Sequence, residues 1–471
     1  LPAPTTPRRR IRESGRDIEL NGSDEMQLTI EQKRALARDL LMRRNQQGGQ
    51  ASAAVERTSS SLDAIGEEFY KPEHFPVYKN LMAQEVVLKQ LGVKNPYFNC
   101  HTDVSRNTIS IDGQSYINYS GYNYLGLSGD PEVNAAVVDA VERYGTSVSA
   151  SRIVSGEIPL HRELEAELAA FHGVADAVVF VSGYGTNVST IGHLFGSKDL
   201  LLHDSLIHNS ALTGCILSGA RRMPFPHNDY EALERILREL RTQYERVCIL
   251  TEGVFSMDGD IPDLRQLIEL KAKYKSLLMV DEAHSAGTIG ATGRGLAEYC
   301  GVDSHGVDIW MGTLSKSFAS CGGYIAGCQA LTLNLRYAAP GGILYSAGMT
   351  PANTAAALAA LRKRPKVIDR VKSLAGNSRL FLSLAKAEGL DTGPSGDSPV
   401  VPVIVSNSVH CLKLADRLFK TGINVQPMLY PAVSEEASRL RFFITALHTA
   451  DEIRFTVART AEALREVRSE R

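Results

Sequence analysis

The chain has 471 residues, 44% of them hydrophobic, and a formal net charge of −2. That length can bury a large core and build more than one domain. The near-zero charge gives no basic field that would draw the protein to nucleic acid or an anionic membrane. No apolar run approaches a membrane span and no apolar signal core opens the chain, so the sequence reads as soluble and cytoplasmic.

The seven cysteines are scattered, odd in number and without a CxxC pair, which predicts reduced thiols and no metal site. Leu1 stands where a methionine would begin a complete chain, as in a processed form or a piece of something longer. Residues 1–75 differ in composition from the rest. LPAPTTPRRR and QQGGQASAAVERTSSS are linker-like and partly disordered by composition. Between them Thr29–Arg44 forms one helix candidate, with Thr29 and Gln32 as a capping box and Ile30, Leu36, Leu40 and Leu41 as an apolar stripe. It is either a docking element or part of a disordered tail.

Residues 76–127 form an N-terminal segment of globular composition, with a hairpin predicted to turn at Asp112-Gly113. Asp130-Pro131 caps a helix running to Val141, and Pro159–Phe171 carries Leu160, Leu164, Leu168 and Phe171 on one face. Apolar runs at Ala177–Val181, Leu200–Leu202, Val247–Leu250, Leu277–Val280 and Ile309–Met311 then alternate with helical stretches such as Asp229–Arg241. This is the rhythm of an α/β fold with a doubly wound, mostly parallel sheet. Gly341-Gly342 and Pro351 place a boundary near residue 350. Residues 351–471 read as a smaller α+β domain, with Leu358–Leu361, Val400–Val405, Leu440–Ile444 and a closing helix from Thr449.

Two of the apolar runs end in chemistry. Leu277–Val280 leads into Asp281, with His284 in the following turn, and Ile309–Met311 leads into Thr313, Ser315 and Lys316. Open α/β sheets build ligand sites at such carboxyl ends. An acid, an imidazole, hydroxyls and one lysine suit pyridoxal 5'-phosphate (PLP), which needs an amine for its aldehyde, a carboxylate at its ring nitrogen and donors for its phosphate. Asp281-Glu282-Ala283-His284 is also the DEAH signature of nucleotide-driven helicases, but no Gly-Lys phosphate loop occurs in the chain. Val181–Asn187 (VSGYGTN) reads as a strand–turn–helix with glycines that open backbone N–H groups to an anion, or as a plain turn. His208 could stack on a flat ring, or be a surface or capping histidine. Glu252 and Ser256 close the strand before Asp281, and Glu252 could equally cap a turn.

The set GYNYLGL, SASRIVSG, FVSGYG, HDSLIHNSAL, TEGVFSMDGDIPDL, VDEAHSAGTIGATGRG and TLSKSFASCGGY resembles the PLP-dependent α-oxoamine synthases. These include aminolevulinate synthase, aminooxononanoate synthase, aminoketobutyrate CoA ligase and serine palmitoyltransferase. The resemblance covers about residues 95–465 and implies the fold-type I architecture, with residues 128–350 as the large PLP-binding domain.

It makes Lys316 the lysine that binds the cofactor and the base for the α-proton, and Asp281 the carboxylate at the pyridine nitrogen. His284 and Ser256 fall near the phenolic oxygen, and Glu252 falls on the cofactor side. His208 stacks on the ring, meets the substrate carboxylate and helps polarise the thioester carbonyl. Gly183, Tyr184 and Thr313 hold the phosphate, and Arg441 pairs with the substrate carboxylate. Ser346 falls where the neighbouring subunit of a homodimer lends a hydroxyl. Tyr122 and Asn123 resemble serine palmitoyltransferase, whereas QPMLYPAV resembles aminolevulinate synthase. Ser151 replaces a threonine of the latter, which leaves room for alanine or serine beside glycine. The implied reaction joins an amino acid to an acyl thioester with loss of carbon dioxide. The N-terminal helix resembles post-carrier helices of polyketide synthases, so an acyl carrier protein is the expected donor and acyl-CoA the rival. An aminotransferase and a non-catalytic synthase subunit are the other readings, although Lys316 is present.

Overall fold

The computed structural model describes residues 9–13, 16–20, 62, 65–430 and 432–470. The expected helix Thr29–Arg44 and the second linker stretch to residue 61 lie outside them. The chain divides into a unit of residues 1–86 and a unit of residues 87–471. The first contains the antiparallel hairpin β1 (Arg9–Glu13) and β2 (Arg16–Leu20), and two 3-10 turns at Glu67–Phe69 and Pro72–His74.

In the second unit β3 (Thr108–Ile111) and β4 (Gln114–Asn118) form an antiparallel hairpin. Asp112 and Gly113 both adopt left-handed φ, 52° and 78°, as a two-residue turn of this hand demands. A large sheet follows: β5 (Asp176–Phe180), β6 (Leu200–Asp204), β7 (Arg221–Phe225), β8 (Val247–Glu252), β9 (Leu277–Asp281), β10 (Ile309–Thr313) and β11 (Gly323–Gly327). Its order is β5-β11-β10-β9-β8-β6-β7, with β11 antiparallel to both neighbours and the remaining pairs parallel. This is the fold-type I sheet. Strands β6, β8 and β10 are buried along their whole length, because helices cover both faces. Side-chain alternation sends Trp310, Val280 and Leu278 into the core on one face of the sheet and Ile309, Met311 and Met279 into the core on the other.

The chain then enters helix Pro351–Lys363, which contains the apolar run Leu358–Leu361, and helix Ile368–Ala387. The C-terminal layer has β12 (Val400–Ile404), β13 (Ile423–Asn424), β14 (Gln426–Met428) and β15 (Arg439–Phe443). β12, β15 and β14 form one antiparallel sheet, while β13 joins β4 in parallel. Leu440 and Phe442 of β15 enter a core with Phe381, Leu414 and Val457. Period-two alternation therefore leaves Arg439, Arg441 and Phe443 on the opposite face. Thr449 caps the closing helix Ala450–Ser469 in a capping box with Glu452. All seven cysteines are free; Cys215, Cys248 and Cys411 are buried, whereas Cys100, Cys321 and Cys328 are exposed. No helix among the described residues is long and apolar enough to cross a membrane.

Beneath the sheet edge, Arg152 sits in a charged knot. Its Nη1 donates to Glu165 Oε1 at 2.5 Å and its Nε to Glu157 Oε2 at 2.5 Å, while Arg336 Nη2 reaches Glu165 Oε2 at 3.0 Å. Arg152 and Glu165 are both buried. Removing Arg152 leaves Glu165 with Arg336 as its cationic partner, so Arg152→Met should lower unfolding free energy by about 1–3 kcal/mol. Urea denaturation checks this; a loss below about 1 kcal/mol would place the knot in the weak, surface-like class.

Candidate active site

The carboxyl ends of β8, β9 and β10 carry Glu252, Asp281 and Thr313 to the rim of one cavity of about 350 Å³. Its lining includes Lys316, Asp281, His284, His208, Glu252, Ser256, Gly183, Tyr184, Thr313, Tyr122 and Arg441. Residues scattered over more than three hundred positions of sequence thus meet at the end of the sheet where open α/β folds bind ligands.

Lys316 Nζ lies 2.8 Å from His284 Nε2, and His284 Nδ1 lies 2.7 Å from the Tyr124 hydroxyl. Burial, reinforced by the positive charges of Lys316 and Arg441, holds His284 well below the usual imidazole range, so the ring is neutral. A neutral ring that accepts from the lysine at Nε2 carries its proton on Nδ1 and donates it to Tyr124. Burial also pushes the Lys316 ammonium down to about 8, against the pull of Asp281 and with help from Arg441. The Lys316 ammonium stands 5.5 Å from the Tyr122 ring centre.

Opposite the lysine, Asp281 Oδ2 accepts from Asn187 Nδ2 at 2.8 Å and Oδ1 from the Ala283 N–H at 2.9 Å. Asn187 Nδ2 also donates to Ser210 Oγ at 2.8 Å, and that hydroxyl lies 2.7 Å from His208 Nδ1. The Ser210 N–H donates to the same nitrogen at 3.2 Å, so His208 accepts at Nδ1 and keeps its proton on Nε2. Desolvation lowers His208, with Asp281 opposing and Lys316 assisting. Burial raises Glu252 well above the carboxylate range and the Asp281 charge adds to it, so Glu252 is neutral. Arg441 Nη1 donates to Ser256 O at 3.0 Å and the guanidinium lies 4.6 Å from the Phe443 ring centre, without a carboxylate partner among the described residues. Helix Gly183–Leu194 opens at the cavity. Its Gly185 N–H is capped by Ser182 Oγ at 3.2 Å, and a Cβ on Gly183 would stand 2.7 Å from Thr313 Oγ1.

Asn123, Ser151 and Ser346 do not line this cavity. Asn123 staples its own loop, donating to Ser105 O at 3.0 Å and accepting from the Ser128 N–H at 3.1 Å. Ser151 bridges Ala347, and Ser346 is half-buried beside it.

Comparisons with known proteins agree with this constellation. The family model described as aminotransferase class I and II matches residues 114–459. The 8-amino-7-oxononanoate synthase of Symbiobacterium thermophilum is 38% identical over 380 residues, covering 81% of this chain and 96% of that protein. The enzyme of the same name from Trichlorobacter lovleyi is 36% identical, with 86% and 99% covered. Serine palmitoyltransferase from S. paucimobilis, solved with PLP and myriocin bound, superposes with a TM-score of 0.80 at 30% identity, covering 84% of this chain and 99% of that one. This chain belongs to the PLP-dependent α-oxoamine synthases. It is accordingly a PLP-dependent acyltransferase.

The residues present fit that cofactor. For an α-oxoamine synthase the cavity offers a lysine of lowered basicity, a hydrogen-bonded carboxylate at its floor and the amino end of a helix at its mouth. Asn187 Oδ1, Glu252 Oε1 and Arg441 Nε are buried without partners, which marks a polar wall built for a ligand. Among the described residues no His, Cys, Asp and Glu cluster could hold a metal. Sequence reasoning missed Tyr124, Ser210 and the role of Asn187. Tyr124 and Asn187 lie inside the GYNYLGL and VSGYGTN motifs, but only their partners across the fold distinguish them from neighbouring polar residues.

The lowered basicity of Lys316 is measurable without cofactor. Only the free amine attacks a carbonyl, so reductive trapping of a small aldehyde should rise with pH to a midpoint of about 8 at Lys316. Surface lysines should follow a midpoint of about 10.4. Peptide mass spectrometry across that range reads both; a Lys316 midpoint at the surface value would remove the burial argument.

Proposed function

We propose that this enzyme condenses a small α-amino acid with an acyl thioester. The thioester C–S bond breaks, a bond forms between the amino-acid α-carbon and the acyl carbonyl carbon, and carbon dioxide and free thiol leave with an α-amino ketone. The observation that carries the reading is the Lys316–His284 contact of 2.8 Å in the cavity that also holds Asp281, His208 and Arg441. Bound PLP supplies an aldehyde for the amino group and a ring that withdraws electron density from the α-carbon.

The chain's own residues supply the rest. Lys316 is the amine for the aldehyde and then the base for the α-proton, a role that its lowered basicity near neutral pH favours. His284 Nε2 accepts a hydrogen bond from the protonated lysine and keeps the amine aimed at the substrate. Asp281, fixed by two donors, sets a negative charge against the ring nitrogen. The first turn of helix Gly183–Leu194, with Tyr184 and Thr313, receives the phosphate. Arg441 takes the substrate carboxylate by its free edge, and His208 would stack on the ring of bound PLP and donate from Nε2 to the thioester oxygen as charge develops there. Ser256 would face the phenolic oxygen of bound PLP, and neutral Glu252 shapes the same wall. Tyr122 lies over the amine.

The amino acid in this reading is alanine. A product named 8-amino-7-oxononanoate, as formed by the relatives, has a methyl group beside its amine-bearing carbon, and a 38% identical relative carries that name. The name of serine palmitoyltransferase makes serine the second choice. The names favour an acyl chain of fatty-acid type over the polyketide setting expected from residues 29–44, and carrier-protein and CoA thioesters both remain donors to test. The assembly in this reading is a homodimer, in which half-buried Ser346 and the Ser151–Ala347 bridge face the neighbouring site.

Lys316→Ala should lose the absorbance band of lysine-bound cofactor and at least about a thousandfold in turnover. Labelled carbon dioxide from carboxyl-labelled alanine should appear with acyl thioester and not without it. A fully active Lys316→Ala protein, or a keto acid formed in place of carbon dioxide, would overturn the assignment. Turnover with one acyl chain on carrier protein and on CoA then ranks the two donors.

A further inference from the structure

Outside the cavity wall, His227 stands just beyond β7 and touches two carboxylates. Its Nδ1 lies 2.9 Å from Asp204 Oδ1 and its Nε2 lies 2.8 Å from Asp260 Oδ2. A carboxylate only accepts, so both ring nitrogens donate and the ring is an imidazolium. Burial pulls it down, and the two carboxylates outweigh burial and carry it up to about 10. The Asp204 and Asp260 side chains are 1% and 10% exposed, and neither has another cationic partner among the described residues. Asn228 adds two neutral bonds, its N–H to Asp204 Oδ2 at 2.9 Å and its Nδ2 to Asp260 Oδ2 at 2.8 Å. The Tyr230 hydroxyl donates to Asn228 Oδ1 at 3.2 Å, and the Phe255 ring meets the imidazole edge-on at 4.5 Å.

The two acids belong to different loops, and each loop ends in the cavity. Asp204 Oδ1 also accepts the Leu206 N–H at 2.8 Å, which shapes the short turn that delivers His208 as the cap of helix Asn209–Ser218. Asp260 closes the other loop, where its carbonyl takes the Phe255 N–H at 3.0 Å. That loop carries Ser256 and Met257, whose carbonyl oxygen and sulfur hold Arg441 Nη1 at 3.0 and 3.3 Å.

We propose that His227 is a positioning residue for the amino-acid site: its imidazolium clamps the His208 turn to the Ser256–Met257 loop and so sets the gap between the His208 ring and the Arg441 guanidinium. Without the ring, two buried carboxylates face each other with only Asn228 between them, and their repulsion spreads the loops. The proposal rests on the reading that His208 and Arg441 meet the amino acid, and its test separates the two.

PLP-loaded protein is titrated with alanine and with serine, and the change in the cofactor's absorbance gives a dissociation constant. Cofactor affinity is measured separately by fluorescence quenching of the apo-protein. His227→Gln, which has no charge and carries its donors on a single nitrogen, should bind amino acid about tenfold more weakly, with cofactor affinity changed by less than about twofold. His227→Arg, which keeps the charge and two donors, should recover most of the loss. A purely structural role predicts less loaded protein but unchanged amino-acid affinity in what remains, and that result overturns the proposal. Should His227→Gln fail to fold, Asp260→Asn weakens one arm alone; about threefold weaker binding supports the clamp and an unchanged constant overturns it. A wild-type protein that gives no spectral response to either amino acid overturns the reading of the cavity itself.

Discussion

Lys316 and Asp281 carry opposite charges into one cavity, yet they do not pair with each other. Left to side-chain preference, an amine and a carboxylate in low dielectric would close on one another and fill the space. Here each is engaged elsewhere: Asp281 is tied back by Asn187 and the Ala283 N–H, and Lys316 is tied to His284. Adjacent strands β9 and β10 fix the spacing, because their parallel register sets Asp281 beside Met311, five residues before the lysine. The rigidity of a sheet buried on both faces keeps the gap open. The desolvation that results lowers the lysine toward neutral pH, so one constraint yields both an open gap and an amine of lowered basicity.

The C-terminal layer completes the site through alternation along a single strand. β15 buries Leu440 and Phe442 in its own core and turns Arg439 and Arg441 toward the loop after β8. Arg439 Nη1 donates to Met257 O at 3.1 Å and to Asp258 Oδ1 at 2.5 Å, which anchors the loop from the side opposite His227. Arg441 is left with one edge committed to Ser256 and Met257 and a buried Nε without a partner. A guanidinium held in this way costs desolvation energy that only an anion repays in full. Arg441 thus keeps an unpartnered donor, in contrast to Arg152, whose nitrogens are all bonded to Glu157 and Glu165.

The parts legible in the sequence were those in which local pattern and tertiary role coincide. β6, β8, β9 and β10 are short apolar runs because helices cover them on both faces, and a buried strand shows itself that way in composition. β7 did not show, since RRMPF is an edge strand: its arginines face water and Pro224 is tolerated where one side of the ladder is unpaired. β11 did not show either, as GYIAG has glycine at both ends. Gly323 is required there because a Cβ would stand 2.4 Å from Thr186 Oγ1 in the helix below. The site residues stood at the ends of legible strands. Their supports, Tyr124, Ser210 and His227, stood out only by what they touch from far along the chain.

The same distinction reinterprets the motifs. SASRIVSG stood among the family motifs; its arginine is consumed by Glu157 and Glu165, and its Ser151 is joined to Ala347 away from the cavity of its own chain. GYNYLGL divides three ways: Tyr122 covers the lysine, Asn123 staples the loop and Tyr124 orders His284. One contiguous motif thus carries a cavity wall, a turn and a tautomer lock. Its sequence cohesion reflects three separate demands that meet because the chain passes once behind the imidazole. Substitution at Tyr124 would be felt at Lys316 through His284, two hydrogen bonds away, whereas substitution at Asn123 would be felt in the loop alone.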